Sequence, residues 1–137
     1  MNPAARAAFG YSLLEIMIVL ALVAILLTLA VPAYRDQSVR VYRSIAVTQL
    51  MQAASCQAQR QASQGFYDTG ACQPADSEHY GFRYLDPGDA QAQTYTLLAE
   101  PRGRQLADGC GWLGLDHAGA QQVGHEQAGT AKCWSGR

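Results

Sequence analysis

From Ile16 to Val31 the chain contains one polar residue, Thr28, and with Leu13, Leu14 and Ala33 the apolar stretch reaches about 20 residues, the length of helix that spans a bilayer. That run removes the first quarter of the 137-residue sequence from any water-soluble core and leaves about 100 residues, enough for one modest domain. It is longer than the 7–15 residues usual for the apolar region of a secretory signal, and no A-x-A cleavage site follows it before the polar "YRDQSVR". A retained transmembrane helix is therefore the better reading. Its flanks carry Arg6 on one side and Arg35, Arg40 and Arg43 on the other, a distribution that by positive-inside counting alone would leave the larger part in the cytoplasm. Four cysteines argue otherwise. Cys56, Cys72, Cys110 and Cys133 all follow the run, contain no C-x-x-C pair, and form the even set expected of two disulfides in an oxidising compartment.

Within the apolar run sits Glu15, far from any lysine or arginine. A lone carboxylate near the centre of a bilayer costs about 2.5–3.5 kcal/mol on insertion scales, so it needs a proton or a partner. The stretch "FGYSLLEIMIVLALVAILLTLAVPAY" resembles the N-terminus of a type IV pilin or pseudopilin precursor. The resemblance implies a leader of residues 1–10 ending at Gly10, cleavage before Tyr11, N-methylation of Tyr11, and an assembly role for Glu15, which would pair with the amino terminus of a neighbouring subunit. It also makes Pro32 the helix-kinking proline, through the hydrogen bond that proline cannot donate. The sequence departs from the family pattern at Tyr11 for Phe, at Ser12 for Thr, in lacking a lysine near the cleavage point, and at Ala24, where many major pilins have a helix-weakening glycine.

After Pro32 the pattern Val39, Tyr42, Ala46, Leu50, Ala53, Ala54 recurs every three or four residues. It predicts a helix that continues toward Gly65 and covers a sheet, with Arg40, Arg43, Gln52 and Gln59 on the solvated side. A loop over 66–77 follows. "YGFRYL", "TYTLLAE" and "CGWLGLD" read as strands, the first two separated by the turn-rich "DPGDAQAQ", and "AKCWS" as a short fourth strand. Four cysteines allow three pairings; Cys56–Cys72 and Cys110–Cys133 close the shortest loops. The expected fold is α+β: a long N-terminal helix, transmembrane over 11–33, packed in its second half on a small antiparallel sheet with a C-terminal disulfide-bonded loop, residues 34–137 forming a periplasmic head.

The succession "TYTLLAEP", "CGWLGLDHAG" and a final "CW" is similar to the heads of PilE-type minor pilins of type IVa pili. That resemblance implies a structural subunit of a pilus supporting assembly, twitching motility and adhesion. Its partners would be the major pilin, other minor pilins, a methylating prepilin peptidase and the inner-membrane assembly platform. The precursor would be a single-pass inner-membrane protein, and the mature subunit part of an extracellular pilus of a Gram-negative bacterium. Rival readings are a type II secretion pseudopilin, whose head more often lacks a C-terminal disulfide loop, and a membrane-anchored periplasmic domain that does not polymerise.

The sequence offers no catalytic constellation and implies no cofactor. His79, His117 and His125 lack metal-site spacing, and the glycines of "GCGWLG" lack the lysine of a phosphate cradle. Arg102, Arg104, Lys132 and Arg137, with Trp112 and Trp134, supply the ingredients of a nucleic-acid patch, diluted by Asp108, Asp116 and Glu126. A DNA-uptake pilin is thus a further alternative, although a net charge of −1 gives no overall attraction for phosphate.

Overall fold

The computed structural model describes residues 10–85 and 91–135. The leader before Gly10, most of "DPGDAQAQ" and Arg137 lie outside them. The chain divides into two compact units, Met1–Asp36 and Gln37–Arg137, and helix α1 (Leu13–Gln64) supplies residues to both.

In the first unit α1 is apolar on every side from Ile16 to Ala33, Thr28 apart, and no described residue as far as Asp36 is buried by the rest of the chain. A helix hydrophobic all round needs an apolar surrounding, and this one is long and apolar enough to cross a membrane. Its first turn is set by the Ser12 carbonyl, which accepts from the Glu15 and Ile16 amides at 3.0 and 3.2 Å. The helix runs through Pro32, whose missing N–H removes one bond of the ladder. Near that point the Thr28 hydroxyl donates to the Ile25 carbonyl at 2.6 Å.

The second unit is an antiparallel meander, β1 (Tyr80–Tyr84), β2 (Thr96–Pro101), β3 (Leu113–Asp116) and β4 (Gln121–Val123), in that spatial order. Alternation sends Tyr80, Phe82, Tyr84, Leu97, Ala99, Leu113, Leu115 and Val123 to one face, where they form a core with Ala46, Leu50 and Ala53 of α1. A 3₁₀ turn, Gly103–Ala107, follows β2, and a second, Glu126–Ala128, precedes a short helix α2 (Thr130–Trp134). The segment "AKCWS", read as a strand, is therefore helical. Its place in the sheet is taken by "QQV", which pairs Gln121 with Leu115 and Val123 with Leu113. The contacts give the physical reason: α2 buries Cys133 and Trp134 together, and the Trp134 indole N–H donates to the Gln122 carbonyl at 3.1 Å. α1 ends at Gln64, and Gly65 follows with φ of 81°, a left-handed conformation that favours glycine after a helix.

Arg43, which the periodicity places on the solvated side of α1, is 5% exposed. Its Nη1 lies 2.6 Å from Asp108 Oδ1, an ion pair sealed between helix and loop. The same carboxylate accepts from the Cys110 amide at 3.1 Å, from Gln105 Nε2 at 3.0 Å and from the Tyr80 hydroxyl at 3.3 Å. Gln105 Nε2 also donates to the Val39 carbonyl at 2.9 Å. Toward the other end of the helix the fully buried Gln57 holds the Asp68 backbone from both sides, accepting its N–H at 2.9 Å and donating to its carbonyl at 2.7 Å. The loop it holds is also tied to α1 by the Cys56–Cys72 disulfide, while Cys110–Cys133 joins the approach to β3 to α2. That loop then runs along β1 on the side away from β2. Gln73 Nε2 donates to the Phe82 carbonyl, Asp76 accepts the Phe82 amide, and Ser77 bonds the Tyr80 backbone.

Replacing Asp108 by alanine leaves the Arg43 guanidinium buried without a counter-charge, a defect worth about 3–5 kcal/mol. Denaturant unfolding of the detergent-solubilised chain should show that loss, and a variant as stable as wild type would remove the ion pair from its structural role. The buried tyrosines set the alkaline limit. Burial first, then neighbouring Tyr84 and Tyr67, push the Tyr95 hydroxyl up to about 12, and burial also raises Tyr80 and Tyr84. Folding therefore favours their protonated form. That stability is complete below the unfolded value of about 10 and is lost as pH rises from there through the folded values. Tyr95→Phe should flatten the stability–pH curve between about 10 and 12.

Candidate functional site

Two places in the described chain carry chemistry beyond packing. The first is the start of α1. Gly10 and Tyr11 precede the helix, Tyr11 is 80% exposed, and Glu15 lies one turn further on, also exposed. An acid in the first turn faces the positive end of the helix dipole.

The second is the face of the sheet turned away from α1. Across its middle run Arg83, Leu98, Gly114 and Gln122, one from each strand in register. Trp112, just before β3, lies on this face. A Cβ on Gly124 would meet Trp112 Cδ1 at 2.6 Å and Nε1 at 2.8 Å, and one on Gly114 would meet Cζ3 at 3.0 Å. The indole therefore rests directly on two stretches of glycine backbone, and it remains 36% exposed. Leu98 borders the same spot, its Cδ2 3.1 Å from where a Gly114 Cβ would stand, and Gln122 on β4 is exposed. Toward β1 the charges are internally matched. Arg83 reaches Glu100 Oε1 through Nε at 3.0 Å and Nη2 at 2.8 Å, which raises the guanidinium pKa. Arg102 lies over Gly81 and pairs with Asp76 at 2.8 Å. The hydrogen bond from the Phe82 amide, and then Arg102, hold the Asp76 carboxyl below its ordinary value.

The four cations and two tryptophans singled out in the sequence are not gathered into one patch. Arg102 is committed to Asp76, Trp134 is buried against β4, and Arg137 lies outside the described residues. Arg104 on the first 3₁₀ turn and Lys132 on α2 are exposed. Asp108, read as diluting that patch, is buried and paired with Arg43. The histidines do not converge either. His79 is half-buried with its ring centroid 3.5 Å from that of Tyr42, His117 borders Tyr67 and Tyr95, and His125 Nδ1 lies 3.1 Å from the Gly109 carbonyl. Among the described residues no group of three acidic, histidine or cysteine side chains could hold a metal ion. Sequence reasoning does not find the glycine bed under Trp112. The spacing of Trp112 and Gly114 hints at it, but Gly124 arrives from beyond the neighbouring strand β4.

Comparison with known proteins decides the family. Residues 32–114 match the model of the type IV minor pilin ComP, DNA uptake sequence receptor, and residues 5–31 match the prokaryotic N-terminal methylation motif. The chain belongs to the ComP family of type IV minor pilins. The methylation motif and the apolar helix fit a membrane-anchored pilin precursor. A type IV pilin from Shewanella oneidensis is 30% identical, with a TM-score of 0.53 over 61% of this chain and 89% of that one. The non-core minor pilin PilV of Neisseria meningitidis shares the fold at 16% identity, with a TM-score of 0.52 over 68% of this chain and 93% of that one. No curated protein sequence matches this minor pilin closely enough to count as a relative.

The ComP match extends through Gly114 and so includes Trp112. Gly124→Ala places a methyl group inside the indole's contact distance and should lift Trp112 off the sheet. Acrylamide quenching of tryptophan fluorescence should then become more efficient, with the far-ultraviolet spectrum unchanged. Unaltered quenching would show that the indole does not depend on that glycine.

Proposed function

We propose that this minor pilin is an assembling pilus subunit whose head binds DNA. The match of residues 32–114 to the model of a DNA uptake sequence receptor carries the second half of that reading. For the first half we carry over the assembly residues of the family. Residues 1–10 are a leader removed by prepilin peptidase between Gly10 and Tyr11, and Tyr11 is then methylated on its new amino group. Residues 11–33 are the transmembrane and assembly helix, in which Glu15 pairs with a neighbouring amino terminus and Pro32 weakens the helix. Residues 34–137 are the head, periplasmic in the precursor and extracellular in the pilus of a Gram-negative cell. The partners are the assembly platform, the major pilin and other minor pilins, and twitching motility and adhesion are properties of the filament it joins.

Electrostatics shapes the DNA reading. Arg43, Arg60, Arg83 and Arg102 are paired with acids. Among the described residues of the head, Arg35, Arg40, Arg104 and Lys132 are exposed cations outside those ion pairs. Each phosphate neutralised contributes about 0.7–0.9 to the slope of log K against log salt, so these four cations should give a slope no steeper than about −4. Specific affinity then has to come from contacts other than a broad basic field.

Fluorescence anisotropy of labelled DNA with the detergent-solubilised full chain tests the head across a salt series. Binding with that shallow slope is the expected result, and no binding at low salt would overturn the reading. For the helix, intact-mass analysis should give a chain beginning at N-methylated Tyr11. Glu15→Ala should leave cleavage intact and lower the amount in sheared filaments relative to membranes. Incorporation at the wild-type ratio would overturn the pairing role of Glu15.

A further inference from the structure

We propose that Trp112 is a stacking platform for an unpaired base of single-stranded DNA. The inference rests on the DNA-binding reading above and adds the form of DNA and the group that holds it. Gly114 on β3 and Gly124 just after β4 let the indole approach the backbone so closely that a single methyl group at either position would intrude on it. The aromatic ring is thereby braced from beneath while part of it stays open to solvent. Such a surface is suited to a base, because every base has an exposed π-face once it leaves a duplex and stacking on an aromatic side chain is tolerant of sequence. In an intact duplex those faces are covered by neighbouring base pairs.

Two further observations favour that occupant. The polar residue that β4 presents on this face is Gln122, an exposed amide that both donates and accepts, as base edges require. Arg83 and Arg102, on the β1 side of the same face, are already held by Glu100 and Asp76, so the surface is not built to collect phosphates. The second tryptophan, Trp134, is buried, with its N–H donated to the Gln122 carbonyl. It is therefore unavailable for stacking and serves as an internal reference.

The test uses the detergent-solubilised full chain with two probes, a short oligothymidylate and a relaxed, covalently closed circular duplex that has neither ends nor unpaired bases. Oligothymidylate should quench wild-type tryptophan fluorescence. In Trp112→Leu, which keeps an apolar cover over the sheet, the remaining Trp134 emission should not respond. Affinity for oligothymidylate should fall about five-fold or more in that variant, should fall less in Trp112→Phe, and should not change for the closed duplex. Wild-type binding of oligothymidylate without quenching, or equal affinity in Trp112→Leu, would overturn the stacking role while leaving DNA binding in place. Failure of the wild-type chain to bind either probe would overturn both readings. The quenching measurement on wild type needs no variant, so a misfolded substitution cannot obscure the result.

Discussion

The Arg43–Asp108 ion pair joins the three parts of the head that must agree for the sheet surface to exist. Arg43 belongs to α1, Asp108 to the turn after β2, and the Asp108 carboxylate reaches both the Cys110 amide and the Tyr80 hydroxyl. One buried carboxylate thus registers the helix against β1 and fixes where the chain enters the disulfide loop. Such a pair gains little over an apolar substitute, but an unpaired member is strongly destabilising. Its effect is to select one arrangement rather than to add stability. Trp112 follows Cys110 by two residues, so its position is set from this point.

Much of the architecture was legible because it follows from period and punctuation. The apolar run, the stripe through Ala46, Leu50 and Ala53, and the stop at Gly65 define α1 without tertiary information. "YGFRYL" and "TYTLLAE" alternate as half-buried strands do, and they pair in register from Tyr80–Pro101 to Tyr84–Leu97. Elsewhere tertiary contact overrides the local signal. Arg43 looks solvated because long charged residues on a helix usually are, and its partner lies 65 positions away. "QQV" has too little apolar pattern to read as a strand and is recruited by β3, whereas "AKCWS" has a strand's residues and coils to bury Cys133 and Trp134. The Trp112 surface was hidden for the same reason, since Gly114 and Gly124, distant in sequence, become one bed only when β3 and β4 pair.

The two units divide the chemistry of the chain. The first has an apolar run with one acid, Glu15, at its head, a combination suited to association in lipid. The second has four of its cations matched by acids and offers an aromatic plate in place of a basic field. Membership of the ComP family joins these in one minor pilin. Recognition as proposed here uses a sheet face that α1 leaves open.

The loop that runs beside β1 also covers a strand border. In an antiparallel pair, alternate residues of an outer strand direct their amide and carbonyl groups away from the partner, and here those of Tyr80 and Phe82 are already occupied by Ser77, Asp76 and Gln73. An open strand border is a template on which another chain can add itself, and proteins held at high local density are the most exposed to that hazard. With this border sealed by its own side chains, one head cannot extend its sheet into the next through Tyr80 and Phe82. Crowded heads are left to meet there through side chains, whose fit can discriminate one neighbour from another.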